Sequence, residues 1–456
     1  MAFKRISSPK LFLILGDILI IILSINLAFI IRVKESTLSY LGLNRGLIII
    51  LLMLASYLMS FYIFDFYNTR EKFGSIRFLA NVAGSVILVS LISIGLFYVF
   101  PYMIGRGVFL ISLILIVTLT VIWRLFYSFF FRLALPAKEV LIVGKGESAE
   151  AVYSLIKKNP EYKVIGLISD TSKKEGALKK KIIGNTLSLE NILNDYNIDD
   201  IIVTTEPIRN SQLNKILINC KMKGINIWDV PSFYEHFIDK LPVQYIKEHW
   251  LLFTDGFEKL GSNIYRRLKR AIDLVVSSII LLVTFPIGVI VALAIKLNSK
   301  GPVFFVQERV GEKQRPFKLF KSRTMVTDAE KEEPQWAEEN DPRVTSVGKI
   351  LRKTRLDELP QLINVIKGDM SLIGPRPERE FFVKKLTEKI PFYSLRFSVK
   401  PGLTGWAQVI YKYGASEEDA LEKLQYELYY IKNMSLFLDL RILLKTIRII
   451  LFGMGR

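Results

Sequence analysis

The chain reads as a membrane protein in three parts. These are a bundle of four transmembrane helices, a Rossmann-like α/β domain, and a mostly α domain with a re-entrant membrane helix. Three observations predict this. Apolar runs at about 11–32, 47–66, 78–100 and 107–131 fill the first third of the chain. A strand, glycine-loop, helix pattern opens at Lys138. From Tyr265 onward, Arg-, Gly-Pro- and acid-containing motifs surround one more apolar stretch. The expected boundaries are 1–136, 137–262 and 263–456.

Each of the four runs has about 20 residues, enough to cross a ~30 Å hydrocarbon layer at ~1.5 Å per residue. The first is too long, and the others too regular, for a cleaved signal peptide. Lys4, Arg5 and Lys10, then Arg70, Lys72 and Arg77, then Arg124, Arg132 and Lys138 flank alternate ends. Arg32, Lys34, Arg45 and Arg106 lie on the other side, so the bias is modest but favours cytoplasmic termini. Asp17 and Asp65 fall within or at the edge of these runs. A carboxylate there is a candidate functional group; the plainer reading is a bundle-facing residue satisfied by its neighbours.

Composition narrows the partners. Of 456 residues 51% are hydrophobic, and 62 Lys and Arg against 43 Asp and Glu give a formal charge of +19. Such a balance suits nucleic acid, anionic lipid or a phosphorylated substrate. The apolar runs favour the last two, and no nucleic-acid motif is evident. The single cysteine, Cys220, excludes an internal disulfide and a thiolate metal cluster, and it reads as a small buried residue. With only His236 and His249, a mechanism needing several imidazoles is excluded.

In the middle domain, strand-like 138–143 runs into Gly144-Lys145-Gly146-Glu147-Ser148-Ala149 and a helix at about 147–158. This G-x-G-x-x-A turn follows the dinucleotide-fold pattern, with Gly144 and Gly146 as candidate nucleotide contacts and Asp170 where a ribose-binding acid would sit. Strands at 163–168 and 200–204 and a helix at about 187–196 complete a small doubly wound unit. Lys145 and Glu147 are bulky for a cofactor loop, so a regulatory or assembly role fits this domain better than catalysis.

The fifth apolar stretch, 274–295, is long enough to span. Arg266, Arg267, Lys269 and Arg270 precede it and Lys296 and Lys300 follow it, so both ends favour the same cytoplasmic side. Pro286 lies inside it, where it removes a backbone donor. A helix-break-helix hairpin dipping into one leaflet is expected, with a straight fifth span as the alternative. Near the C-terminus, 435–453 sets Arg441, Lys445 and Arg448 at helical spacing among Leu and Ile. This predicts an amphipathic helix that lies on an anionic membrane surface or packs on the domain beside it.

The remaining motifs carry chemistry. They are Lys269 to Asp273; Gly301-Pro302 with Gln307, Arg309 and Gly311; Phe317 to Met325; Asp341 to Thr345; Arg352-Lys353-Thr354-Arg355-Leu356-Asp357-Glu358-Leu359-Pro360-Gln361; Gly368 to Ser371; Gly374-Pro375-Arg376-Pro377-Glu378; and Pro401 to Trp406. Asp357 and Glu358 precede an apolar-periodic helix, so Asp357 is expected as its N-cap, where free N–H groups attract phosphate. Arg352 and Arg355 lie upstream and Arg376 downstream, and guanidinium suits phosphate oxygens. A carboxylate pair among arginines suits Mg²⁺ bridging a diphosphate, and a carboxylate can attack phosphorus. An Asp-Glu pair at a helix start can also be a cap and a first-turn acid with no chemistry. Lys321, Arg323 and Arg343 are further phosphate candidates, or else surface cations and lipid-head contacts. Asp273 is expected to cap or to pair with Arg270.

Taken together, these motifs over 262–456 closely resemble the monotopic polyprenyl-phosphate hexose-1-phosphate transferases, the bacterial sugar transferases. With the four-helix bundle and Rossmann-like domain, the whole chain resembles the larger subgroup, which includes undecaprenyl-phosphate glucose and galactose phosphotransferases of exopolysaccharide and O-antigen synthesis. The resemblance implies a UDP-sugar donor, Mg²⁺, undecaprenyl phosphate as acceptor, and a bacterial inner membrane with the catalytic domain on its cytoplasmic side. It implies Asp357 as nucleophile, Glu358 as metal contact or base, Arg352 and Arg376 on phosphate, UMP as leaving group and a phosphosugar-enzyme intermediate. The family breaks its re-entrant helix at Ser-Pro, whereas here Phe285 precedes Pro286. The size of the chain leaves room for a homodimer. A catalytically silent scaffold or nucleotide-sensing regulator is the competing reading, and it predicts no UMP release. A fused sugar-nucleotide dehydratase would need a tyrosine-lysine pair far downstream of the glycine loop, and none is found.

Overall fold

A computed structural model of the chain describes residues 8–67, 73, 75–99, 105–134, 137–159, 161–169, 181–205, 211–326, 341–411, 414 and 416–452. It divides into two compact units, Met1–Ala137 and Lys138–Arg456.

The first unit holds α1 (Ser8–Val33), α2 (Leu43–Ile63), α3 (Ile76–Val99) and α4 (Arg106–Ala134). All four are long and apolar enough to cross a membrane. Their outer faces stay apolar: Leu15, Leu19 and Leu23 recur every four residues on α1 and are exposed, while Leu13, Ile21, Ile25 and Ala28 are buried. A helix apolar on every face suits lipid outside and protein inside. Gly16 lies against the Trp123 ring with no room for a Cβ, so α1 and α4 approach closely. On the buried seam, Arg124 Nη1 and Nη2 donate to Asp17 Oδ1 and Oδ2 at 3.1 and 2.6 Å. Both residues are fully buried. Asp17 is thus a bundle-facing residue satisfied by a neighbour, and Arg124, expected as a flanking cation, is an interior one. The reason is mutual: neither charge is tolerable alone in an apolar interior.

The second unit opens with a five-stranded parallel sheet of order β3-β2-β1-β4-β5, built from β1 (Lys138–Val143), β2 (Tyr162–Ile168), β3 (Ile182–Gly184), β4 (Asp200–Val203) and β5 (Asn226–Asp229). Crossovers run through α5 (Glu147–Lys157), α6 (Leu189–Asp195) and α7 (Ser211–Met222). Alternate β1 residues face opposite layers. Val140 and Ile142 pack with Val152 and Ile156 of α5, and Leu141 and Val143 with Leu189 and Leu217. Cys220 is buried in that second layer.

After β5, Asp229 caps α8 (Val230–Ile238) by accepting from the Ser232 N–H at 2.8 Å. Asp239 then turns left-handed at φ 57 and ties this segment to the C-terminal part of the unit. Its carbonyl accepts from Trp406 Nε1 at 2.9 Å, and its carboxylate accepts from Tyr429 Oη at 3.0 Å and Arg441 Nη1 at 3.1 Å.

The fifth apolar stretch is one helix, α9 (Asn263–Asn298), and it is also long and apolar enough to span. The two arms expected on either side of Pro286 are joined as one helix, with helical backbone running through the proline. A proline removes one rung of the hydrogen-bond ladder, and the long ladders on either side carry the helix across. Asp273 and Arg270, expected to pair, instead tie α9 to residues near 366–372. Arg270 Nη2 donates to the Ile366 carbonyl at 2.7 Å, and Asp273 Oδ1 accepts from the Leu372 N–H at 3.1 Å. Further on, Val291 and Ile295 pack against Leu351. Both halves of α9 therefore hold the same C-terminal segment.

That segment contains an antiparallel ribbon, β6 (Phe304–Val310) with β7 (Pro316–Ser322), then α10 (Ser346–Thr354), α11 (Gln361–Lys367), and the parallel pair β8 (Ser371–Ile373) and β9 (Gly402–Thr404). It continues through α12 (Glu380–Lys389), α13 (Trp406–Ile410), α14 (Glu417–Lys432) and α15 (Leu436–Leu451). One face of α15 is packed: Leu438 and Ile442 are buried, and Asp439 pairs with Lys269 at 2.8 Å. The other face exposes Phe437, Leu440 and Leu451.

Candidate active site

α10 ends at Arg355, whose φ of 59 reverses the chain. A tight 3-10 turn, Leu356–Glu358, comes next, and α11 starts only at Gln361. Asp357 is therefore not the expected N-cap. Pro360 takes that position without a side-chain cap, and the intervening bonds are short-range, from Glu358 N–H to the Arg355 carbonyl and from Leu359 N–H to the Leu356 carbonyl. Proline brings no N–H and pre-sets φ, so the helix begins at its ring and the acids sit one turn earlier.

This turn buries both acids. Glu358 Oε1 is met by Arg376 Nη2 at 3.0 Å, Arg355 Nη1 at 3.1 Å and Lys321 Nζ at 3.5 Å. Lys321 comes from β7, and Arg376 lies between Pro375 and Pro377. The Arg376 backbone is clamped on both sides. Its N–H donates to Glu427 Oε1 at 3.3 Å, and its carbonyl accepts from Arg396 Nη2 at 2.7 Å. Arg396 and Glu427 are themselves a buried ion pair at 2.9 Å.

The electrostatics separate the two acids. Burial disfavours the Glu358 charge, but Arg376, Lys321 and Arg355 together outweigh it and hold the carboxyl well below the usual carboxylate range. Burial pushes Asp357 the other way, and the neighbouring Glu358 charge adds to the rise. Burial pulls the Lys321 ammonium down to about 8 despite the attraction of Glu358. Asp357 Oδ1 is, among the described residues, the only buried carboxylate oxygen with no hydrogen-bond partner. The turn thus presents a bare, more basic carboxylate beside an ionised one that gathers cations.

The other expected site residues have these contacts. Arg323 is buried and braces the end of α9, donating to the Lys300 carbonyl at 3.0 Å and the Ser299 carbonyl at 2.8 Å. Arg343 forms a pair with Asp341 at 2.6 Å, and Arg352 Nε donates to Thr324 Oγ1 at 2.9 Å. Arg355, noted upstream of the acids but not chosen, is a direct Glu358 contact. The Arg396–Glu427 clamp left no signal in the sequence, because its members lie 31 residues apart in no shared motif. Among the described residues no three His, Cys, Asp or Glu side chains cluster as a metal site. In the sheet, Gly144 and Gly146 have φ of 130 and 82, and a Cβ on Gly144 would strike Thr204 and Thr205. Packing and turn geometry therefore account for Gly144. Asp170 lies outside the described residues.

Comparison with known proteins bears on these two regions. The bacterial sugar transferase family model matches residues 264–453, and a CoA-binding domain model matches 62–231. A UDP-N-acetylgalactosamine-undecaprenyl-phosphate N-acetylgalactosaminephosphotransferase of Aeromonas hydrophila is 42% identical over 241 residues, 53% of this chain and 56% of that protein. A UDP-glucose:undecaprenyl-phosphate glucose-1-phosphate transferase of Escherichia coli (strain K12) is 44% identical over 190 residues, 41% of this chain and 40% of that protein. The chain thus spans about half the length of these relatives. A Bacillus subtilis (strain 168) protein described as an uncharacterized sugar transferase is 40% identical over 188 residues, 41% of this chain but 89% of that protein. With that relative nearly covered, and the matched stretch holding the turn at Asp357 and the clamped Arg376, the chain belongs to the bacterial sugar transferase family.

Proposed function

We propose that this protein transfers a hexose-1-phosphate from a UDP-sugar to undecaprenyl phosphate, through a covalent phosphosugar on Asp357. The observation that carries the reading is the bare, buried Asp357 Oδ1 beside a cation-ringed Glu358. A carboxylate without hydrogen bonds and with raised basicity is a better nucleophile than a capped one. It attacks the β-phosphorus, the bond to UMP breaks, and an acyl phosphate carrying the sugar remains. An oxygen of the lipid phosphate then attacks the same phosphorus, and Asp357 leaves as carboxylate. Arg376, Lys321 and Arg355 balance charge on the phosphate oxygens as it develops. A base works best with a pKa near the working pH. Glu358, held far below it, fits better as the organiser of these cations than as a base.

Mg²⁺ fits through Asp357, whose buried Oδ1 has no partner, whereas Glu358 Oε1 is already met by three cations. Bound there on the diphosphate, it would supply charge neutralisation to the departing UMP. The contacts of both α9 halves with one segment support a helix that dips into the membrane from the cytoplasmic face of the inner membrane and returns. A straight crossing would set those contacts about 30 Å apart, on opposite sides of the hydrocarbon. The relatives' names supply the substrate classes, and the first step of exopolysaccharide or O-antigen assembly is the setting this reading implies.

The test is UMP release from a panel of UDP-sugars by the purified full chain, with intact-mass detection of the phosphosugar adduct. Wild-type protein gives both, and Asp357→Asn gives neither. Wild-type turnover in Asp357→Asn sinks the nucleophile assignment.

A further inference from the structure

Three consecutive residues of β6 stand out from the rest of the ribbon. Phe304, Phe305 and Val306 are 53%, 43% and 47% exposed. Adjacent strand residues point to opposite faces, so an exposed run of three means that both faces of this ribbon end are uncovered. Large apolar residues grouped in this way mark a contact surface rather than a packed core.

Register connects this surface to the active site. Phe305 lies directly opposite Lys321, and Phe304 opposite Ser322. Opposed residues of an antiparallel pair project to the same face with Cβ atoms ~5 Å apart. Phe305 therefore borders the lysine whose ammonium is 3.5 Å from Glu358. Before the ribbon, Ile290, Leu293 and Leu297 follow helical spacing on α9 and are exposed, Leu297 by 89%, on the side away from Val291 and Ile295. The junction is rigid. The Arg323 side chain donates to the Ser299 and Lys300 carbonyls, and its N–H donates to the Val303 carbonyl at 2.9 Å. An apolar track on β6 thus stops at a group of cations that outnumbers its acids.

Resting on the reaction proposed above, we infer that Phe304–Val306 is the docking surface for the polyisoprenyl chain of the lipid phosphate, with Phe305 directing its phosphate to Lys321. Charge complementarity selects this occupant. The surface wants a long apolar body, and the end of the track wants a single anionic head, which no UDP-sugar combines. Phe305 is then a specificity residue for the acceptor, and the donor does not touch it.

The experiment uses the purified full chain and compares undecaprenyl phosphate with geranyl phosphate, a short-chain acceptor. Wild-type protein prefers the long chain in kcat/KM. In Phe305→Ser that preference falls by roughly tenfold, the effect of losing most of one ring's apolar contact, while the KM for the UDP-sugar stays put. Phe305→Leu retains the preference, and Val306→Ser gives an independent reading should Phe305→Ser fold poorly. An unchanged preference in both serine variants overturns the inference. So does a result in which Phe305→Ser only weakens sedimentation with phosphatidylglycerol vesicles, which assigns the surface to bulk lipid. If wild-type protein transfers nothing to either acceptor, the proposed reaction fails instead. Direct binding of the two lipid phosphates, read by thermal shift, then decides the docking surface separately.

Discussion

Two buried charge clusters in this molecule make opposite use of similar groups. In the membrane bundle, Arg124 and Asp17 match one to one, two nitrogens to two oxygens, with the guanidinium beside the rings of Phe66, Tyr67 and Phe73. At the Asp357 turn, Lys321, Arg355 and Arg376 converge on Glu358, and the neighbouring Asp357 keeps an oxygen bare. The first cluster is balanced in charge, with both Asp17 oxygens taken. The second holds a cation beyond its acids and an unsatisfied acceptor, as a site must if a phosphate is to complete it. Burial of the acids is common to both, so stoichiometry is what sets the candidate reactive site apart from the structural pair.

The sharpest way to break this comparison is Asp357→Asn. We expect turnover to fall by on the order of a thousandfold or more with no loss of thermal stability, since a nucleophile is removed but no partner is orphaned. Turnover and melting temperature measured on one preparation check both halves. Arg124→Leu should do the reverse. Stranding Asp17 costs about 3–5 kcal/mol, while kcat per folded molecule is unchanged. Asp17→Leu combined with Arg124→Leu should recover most of that loss in a detergent melt, and a double variant no better than the single would show that the pair is not balanced.

Smaller effects sharpen the reactive side. Arg376→Ala should lower kcat/KM for the UDP-sugar by roughly a hundredfold, and Lys at this position should restore little because the planar fork is lost. Steady-state kinetics of both variants against one donor test this. The pH profile carries the least. Lys321, with its pKa pulled down to about 8, is charged below that pH and neutral above it. The charged form balances Glu358 and, in the proposed reaction, meets phosphate. On this account kcat/KM for the donor declines as pH rises through about 8, and Lys321→Arg moves that limb upward. A limb that stays in place in Lys321→Arg belongs to another group.

Much of this is legible in sequence because it is local. The strand, glycine loop and helix at 138–157 follow from a change in hydrophobic period, and the four apolar runs follow from length alone. The adjacent acids and the Pro375-Arg376-Pro377 motif point to chemistry before any geometry. Proline is harder to read. Helical backbone continues through Pro286, where a break or kink is expected, and Pro360 pushes the start of α11 past the acid expected to cap it. What stays hidden is long-range. Asp17 and Arg124 are 107 positions apart, and a pattern along the chain carries no record of partners so distant. Arg323 reads as a phosphate candidate or a surface cation, and its contact with the end of α9, 24 positions earlier, cannot be read from the chain.

The left-handed residue Asp239 has a consequence for biosynthesis. Its partners Trp406, Tyr429 and Arg441 lie 167, 190 and 202 positions later. During translation the parallel sheet and α8 can form early, yet the seat prepared by Asp239 stays open until residues 406, 429 and 441 have left the ribosome. Contacts this distant close late and slowly. The α15 helix thus works as a latch, and a nascent chain stalled just short of it would carry a finished sheet, an exposed acid at 239 and a C-terminal part still unfastened from it.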